Sequence, residues 1–123
     1  MYEARVSETI CIAHRVPQGD GRLGPLHGHN WTIALDVGVE ALDSRGRVAD
    51  LDAVRASLHR VVDPLDHRTL GDLAPFAGPA SRTAPAVARW VADQVRGDLE
   101  SGLRIVAVRV LDGRGGCVSW RAS

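Results

Sequence analysis

Four residues in the first quarter of the chain carry the strongest chemical signal: His14, and then His27-Gly28-His29. Two histidines separated by one residue on a strand project to the same face, so their rings can converge on one ion. His14, close to the end of a neighbouring strand, can add a third nitrogen. Three protein nitrogens with a fourth position open is the pattern of a catalytic zinc rather than a structural one. Gly28 between the ligands permits close backbone approach. Spacing alone leaves a second reading open, a surface His-X-His turn with no metal.

Two further places carry ionisable groups of interest. Asp66-His67 sets a carboxylate beside an imidazole, an arrangement that can act as a general acid/base pair, or equally as a helix-terminal cap cluster. Asp112, ahead of a Gly-rich turn, can receive amine-type donors from a ligand. As an isolated residue it also fits a turn-initiating aspartate. Cys11 is offset by three residues from His14, which on one strand points it to the opposite face and favours a packed role. Nothing in the sequence activates Cys117. Arg22, Arg68 and Arg82 fall in loops, where they can bind a substrate carboxylate or stay solvated, and His59 reads as a surface residue of a helix.

These groups need elements to hold them. Trp31, Ile33, Leu35, Val37 and Val39 alternate with smaller or polar residues, the period of a half-buried strand. The stretch from Glu3 to Arg15 reads as a preceding strand, and PQGDGRLGP between them as a loop. Leu51, Val54, Leu58 and Val61 recur at helical spacing after an Asp50 N-cap, and that helix ends near Asp63-Pro64. A second helix capped by Thr83 tolerates Pro85 in its first turn and buries Val87, Val91, Val95 and Leu99. Leu103–Leu111 and Cys117–Trp120 complete the set as strands. The order ββααββ predicts an α+β domain: an antiparallel four-stranded sheet with both helices on one face. Its two open edges and its uncovered face favour an oligomer.

Bulk properties narrow the function classes. The 123 residues suit one domain, 1–123, and one core. Composition is ordinary for a globular chain, 45% hydrophobic and 24% charged with zero formal net charge. Balanced charge gives no reason to expect nucleic acid or an anionic membrane surface as partner. All basic residues are arginine. No signal segment or bilayer-spanning run is visible, and two cysteines are too few for a disulfide framework, so a reduced, cytoplasmic setting is expected.

The segments Ala13-His14-Arg15, Leu26-His27-Gly28-His29-Asn30, Val48-Ala49-Asp50-Leu51, Leu65-Asp66-His67-Arg68-Thr69-Leu70 and Thr83-Ala84…Ala88-Arg89-Trp90 occur in this order across nearly the whole chain. Together they resemble the 6-pyruvoyl-tetrahydropterin synthase / 6-carboxy-tetrahydropterin synthase family. The resemblance implies the tunnelling (T-fold) architecture, with subunits joined through their sheets into a barrel, as a trimer or a hexamer of stacked trimers, and active sites between subunits. It implies Zn2+ on His14, His27 and His29, with Asp66 and His67 as the catalytic acid/base pair and a small-molecule substrate of the pterin type. The expected activity is that of a lyase breaking a carbon–oxygen or carbon–carbon bond.

Three departures from the pattern bear on the substrate. Leu23 stands where the family places a catalytic cysteine, four residues before the first histidine of the HGH motif. Asp112-Gly113 stands where a strand-end Glu-Thr anchors the pterin, and the carboxylate is one methylene shorter. Around Thr83, a Pro-Thr-x-Glu pattern becomes Arg82-Thr83-Ala84-Pro85. Leu23, Thr83 and Asp112 are therefore the expected substrate-contacting positions of a divergent member lacking the cysteine. Two other functions stay open: a same-fold enzyme of specialised metabolism that condenses an amine with an aldehyde or imine, as in a Pictet–Spengler-type cyclisation, and a non-catalytic T-fold protein.

Overall fold

The computed structural model describes all residues from Met1 to Ser123. Strands β1 (Tyr2–His14) and β2 (His27–Val39) form a long antiparallel hairpin, followed by helix α1 (Leu51–Val62). A two-residue strand β3 (Arg68–Thr69) and three short 3-10 turns lead to helix α2 (Ala84–Val95), and β4 (Arg104–Leu111) and β5 (Cys117–Arg121) close the chain. The sheet order is β3-β1-β2-β4-β5.

The expectation of a four-stranded antiparallel sheet is thereby corrected. The sheet has five strands and is mixed, because Ile12 and Ala13 of β1 pair in parallel with Arg68 and Thr69. Two residues are too few to show any hydrophobic period, and β3 lies in a segment punctuated by Pro64, Gly71 and Pro75 that reads as irregular. The long elements agree with the pattern that announced them. Asp50 caps α1 by accepting from the backbone N–H groups of Asp52 and Ala53, and the Thr83 hydroxyl accepts from Ala86 N at the start of α2.

Helix α1 packs on β1, and α2 packs on β4 and β5. Between helices and sheet lie Val6, Ile10, Ile12, Trp31, Ile33, Leu35, Val37, Val108 and Val110, all buried. On α2, Val87, Val91 and Val95 are fully buried, each stabilising the fold by about 1.5–3 kcal/mol relative to exposure. The helix-free face shows a different chemistry. There Asp36, only 6% exposed, lies opposite Arg5 and is held by it through Nε (2.6 Å) and Nη2 (3.1 Å), and by Arg109 Nε (2.9 Å). Burial pushes the Asp36 carboxyl up, but hydrogen bonds from the two guanidiniums outweigh it and the net effect is a lowered pKa. Arg109 also donates from Nη1 to the Ser119 hydroxyl. Cys11 does point away from His14, yet it is exposed rather than packed, because no helix covers that face.

Candidate metal centre and its surroundings

The hairpin register sets the site. His14, the last residue of β1, is paired directly with His27, the first of β2, and His29 follows on the same face of β2. The three rings meet edge-on with centroids 4.8–4.9 Å apart. One nitrogen from each lies within 4.8 Å of the others, so the sequence-expected ligands are gathered in one place.

The hydrogen bonds around these rings decide which nitrogens face the cluster. A carbonyl oxygen can only accept, so His14 donates from Nδ1 to Arg82 O at 2.8 Å, and His27 donates from Nδ1 to Pro25 O at 3.0 Å. Each ring then carries its proton on Nδ1 and leaves Nε2 as a lone-pair donor, the tautomer an outer carbonyl imposes on a metal-binding histidine. His14 is 5% exposed, and its Nε2 is the one buried side-chain nitrogen or oxygen in the chain without a partner. A buried polar atom left unpaired costs stability unless something occupies the position it faces. Burial lowers the pKa of His14, with the His27 ring adding to the effect and the Arg82 carbonyl opposing it. Burial also lowers that of His29, helped by His14 and His27. Neutral imidazoles are the form that binds metal. The donor set, the tautomers and the orphaned Nε2 all fit a zinc ion.

The rings open onto a hollow of about 280 Å³ whose other walls include Trp31, Ala84, Val110, Asp112 and Val118. Trp31 is a neighbour that the motif reading missed: it stacks on His29 at 25° and meets His14 edge-on. Its position two residues beyond His29 on the same strand face was the available signal. Asp112 reaches this hollow from the end of β4. Its Oδ1 accepts from Arg114 N (2.7 Å) and Gly116 N (2.9 Å), and these two bonds hold its carboxyl below the usual range. Much of its hydrogen-bonding capacity is thus spent on the turn.

The remaining predicted positions are not brought to this hollow by their own chain. Thr83 is the α2 cap, and its neighbour Ala84 forms the wall. Leu23 lines a separate depression with Arg15 and Arg82. Asp66 and His67 sit on the outer edge of β1, clasped to Cys11: Cys11 N donates to Asp66 Oδ1 (2.7 Å) and His67 N donates to Cys11 O (2.6 Å). His67 adopts φ 59°, the only left-handed residue other than glycine, and its side chain is 79% exposed. Its Nε2 lies 3.8 Å from Asp66 Oδ2.

Comparison with known proteins places this arrangement. The family model for 6-pyruvoyl tetrahydropterin synthase matches residues 3–123. A dihydroneopterin monophosphate aldolase of Pyrococcus furiosus is 28% identical over 88 residues, covering 72% of this chain and 71% of the relative. A 6-carboxy-5,6,7,8-tetrahydropterin synthase of Synechocystis is 32% identical over 84 residues, covering 64% of this chain and 63% of the relative. The fold is that of the solved 6-pyruvoyl tetrahydropterin synthase of Caenorhabditis elegans, with a TM-score of 0.81 at 20% identity over 99% of this chain and 96% of that one. A Plasmodium vivax 6-pyruvoyltetrahydropterin synthase carrying a catalytic-residue mutation superposes with a TM-score of 0.73 at 14% identity, covering 99% and 98% of the two chains.

Proposed function

The chain belongs to the 6-pyruvoyl tetrahydropterin synthase family, and from that premise we propose that it is a zinc-dependent lyase acting on a pterin-type substrate. The observation that carries this reading is the orphaned His14 Nε2 facing His27 and His29 at the floor of a hollow. His14, His27 and His29 would hold the metal, with the Arg82 and Pro25 carbonyls fixing two of the rings. Zinc in such a site acts as a Lewis acid toward substrate oxygens.

The chain's own groups supply the rest. His67, oriented by its backbone bond to Cys11 O and with the Asp66 carboxylate beside it, is the group that moves a proton. Asp112 at the rim places negative charge where a cationic or amino-bearing substrate edge would lie. Because Asp66 and His67 do not line the hollow of their own chain, the site is completed by a second copy, as a trimer or hexamer would allow; sedimentation velocity measures that state. The aldolase name of the Pyrococcus relative favours carbon–carbon cleavage as the lyase reaction.

The experiment is turnover of dihydroneopterin-type substrates by the zinc-loaded chain beside His67→Ala and Asp66→Asn variants. The reading expects turnover in the parent and loss of roughly 10²–10⁴-fold in the variants, the usual contribution of an acid/base group. Turnover unaffected by both substitutions would remove the acid/base assignment. Leu23 favours a second reading, since a leucine at the family's cysteine position cannot accept a proton. In that reading the fold serves an amine–aldehyde condensation of the Pictet–Spengler type. No turnover or thermal stabilisation with any pterin, together with activity on an arylethylamine and an aldehyde, would select it.

A further inference from the structure

A depression of about 220 Å³, distinct from the histidine-lined hollow, is lined by Arg15, Leu23, Thr69, Gly71, Asp72 and Arg82. Two guanidiniums enter it, and both are braced by carbonyl oxygens rather than by carboxylates. Arg15 donates from Nε to Gly24 O at 2.8 Å, while its two terminal nitrogens make no hydrogen bond. Arg82 donates from Nε to Phe76 O (2.9 Å) and from Nη2 to Ala77 O (2.6 Å), leaving Nη1 without a partner. Ion-paired arginines occur elsewhere in the chain, but none of Arg15, Arg22, Arg68 and Arg82 forms an ion pair. The Thr69 hydroxyl has no partner either, and Asp72 is the one carboxylate on the wall.

Gly71 makes the seat possible. A Cβ there would stand 2.9 Å from Arg82 Cζ and 3.0 Å from its Nε, so the guanidinium occupies the space that a side chain at position 71 would fill. Neighbouring guanidiniums with fixed planes and free N–H edges are the arrangement that binds an oxyanion through charge-assisted hydrogen bonds. We propose that this depression is an oxyanion subsite that receives the phosphate or carboxylate group of a ligand. It adjoins the histidine cluster through one residue: Arg82 offers its guanidinium to the depression and its carbonyl to His14 Nδ1. The assignment stands apart from the identity of the reaction, because it rests on these side chains alone.

Inorganic phosphate and acetate, titrated by calorimetry into the zinc-loaded chain and its variants, test the site. Phosphate binds the parent and His27→Ala alike, and binding weakens by at least about tenfold in Arg15→Gln, the loss of one charge-assisted hydrogen bond. Gly71→Ala, which displaces the Arg82 guanidinium, weakens it as well. Arg82→Gln also forfeits the bonds to Phe76 and Ala77, so the exposed Arg15 carries the decision and thermal unfolding checks each variant. Tighter phosphate than acetate identifies a phosphoester ligand; the reverse order identifies a carboxylate. Phosphate affinity lost in His27→Ala, unchanged in Arg15→Gln, or absent for both anions overturns the proposal.

Discussion

Asp36 and His14 are nearly equally buried, 6% and 5% exposed, yet the chain treats them in opposite ways. Asp36 on the helix-free face receives three charge-assisted bonds from Arg5 and Arg109. His14 on the helix side is braced at Nδ1 and left bare at Nε2. A buried polar group whose needs are met within the chain holds a fold together. One whose needs are met on one side only is positioned for something that arrives from outside. The contrast separates a cluster whose hydrogen-bonding needs are met within the chain from one whose needs are not.

The contrast is broken most directly through metal affinity. His27→Ala lowers zinc affinity by more than about a hundredfold, beyond the loss typical of an outer-shell partner. Unfolding of the metal-free variant shifts by no more than about 0.5 kcal/mol, since His27 is exposed. Metal content by atomic absorption and denaturant unfolding are the two measurements; equal zinc in parent and variant would sink the histidine site. Asp36→Ala does the reverse. It costs about 2 kcal/mol, below the 3–5 kcal/mol of a fully buried pair because the half-exposed Arg5 can rehydrate, and it leaves zinc affinity intact. A variant that unfolds normally but loses zinc would erase the distinction between the two faces.

Acid separates the two clusters more gently. His14 and His29 have lowered pKa values, so the folded chain keeps them neutral where the unfolded chain takes up protons, below about pH 6.5. Their contribution to stability is therefore complete above that point and fades as pH falls toward their folded values, and proton competition releases zinc over the same range. Asp36, also lowered, contributes above its unfolded value of about 3.9 and is lost only as pH falls through its lower folded value. Zinc release followed by chelator dye precedes the loss of far-UV circular dichroism as pH drops. Coincident transitions would mean that the fold and the metal site are one unit.

The long elements were legible because each carries its own period: two in Trp31–Val39, and three or four in Leu51–Val61. The histidine cluster was legible because strand alternation places His27 and His29 on one face. What escaped depends on partners distant in sequence. β3 exists because Asp66 and His67 dock onto Cys11, a contact across 55 positions that leaves no local pattern. The Arg5–Asp36–Arg109 cluster needs the register Arg5↔Asp36 and the irregularity between Asp36 and Val37 that sets β4 against β2. Arg82 read as one loop arginine among several, and only the fold shows its carbonyl on His14 and its guanidinium in a separate depression.

The pairing of His14 with His27 has a further consequence, because all three clustered histidines lie on a single hairpin. Side chains alternate strictly along a strand, so slippage of β2 by one residue would carry His27, His29, Trp31 and Ile33 together to the opposite face. The imidazole cluster and the aromatic–aliphatic ridge behind it therefore share one alignment and fail together. On the proposed zinc reading, affinity for the ion gauges whether the two strands are in step.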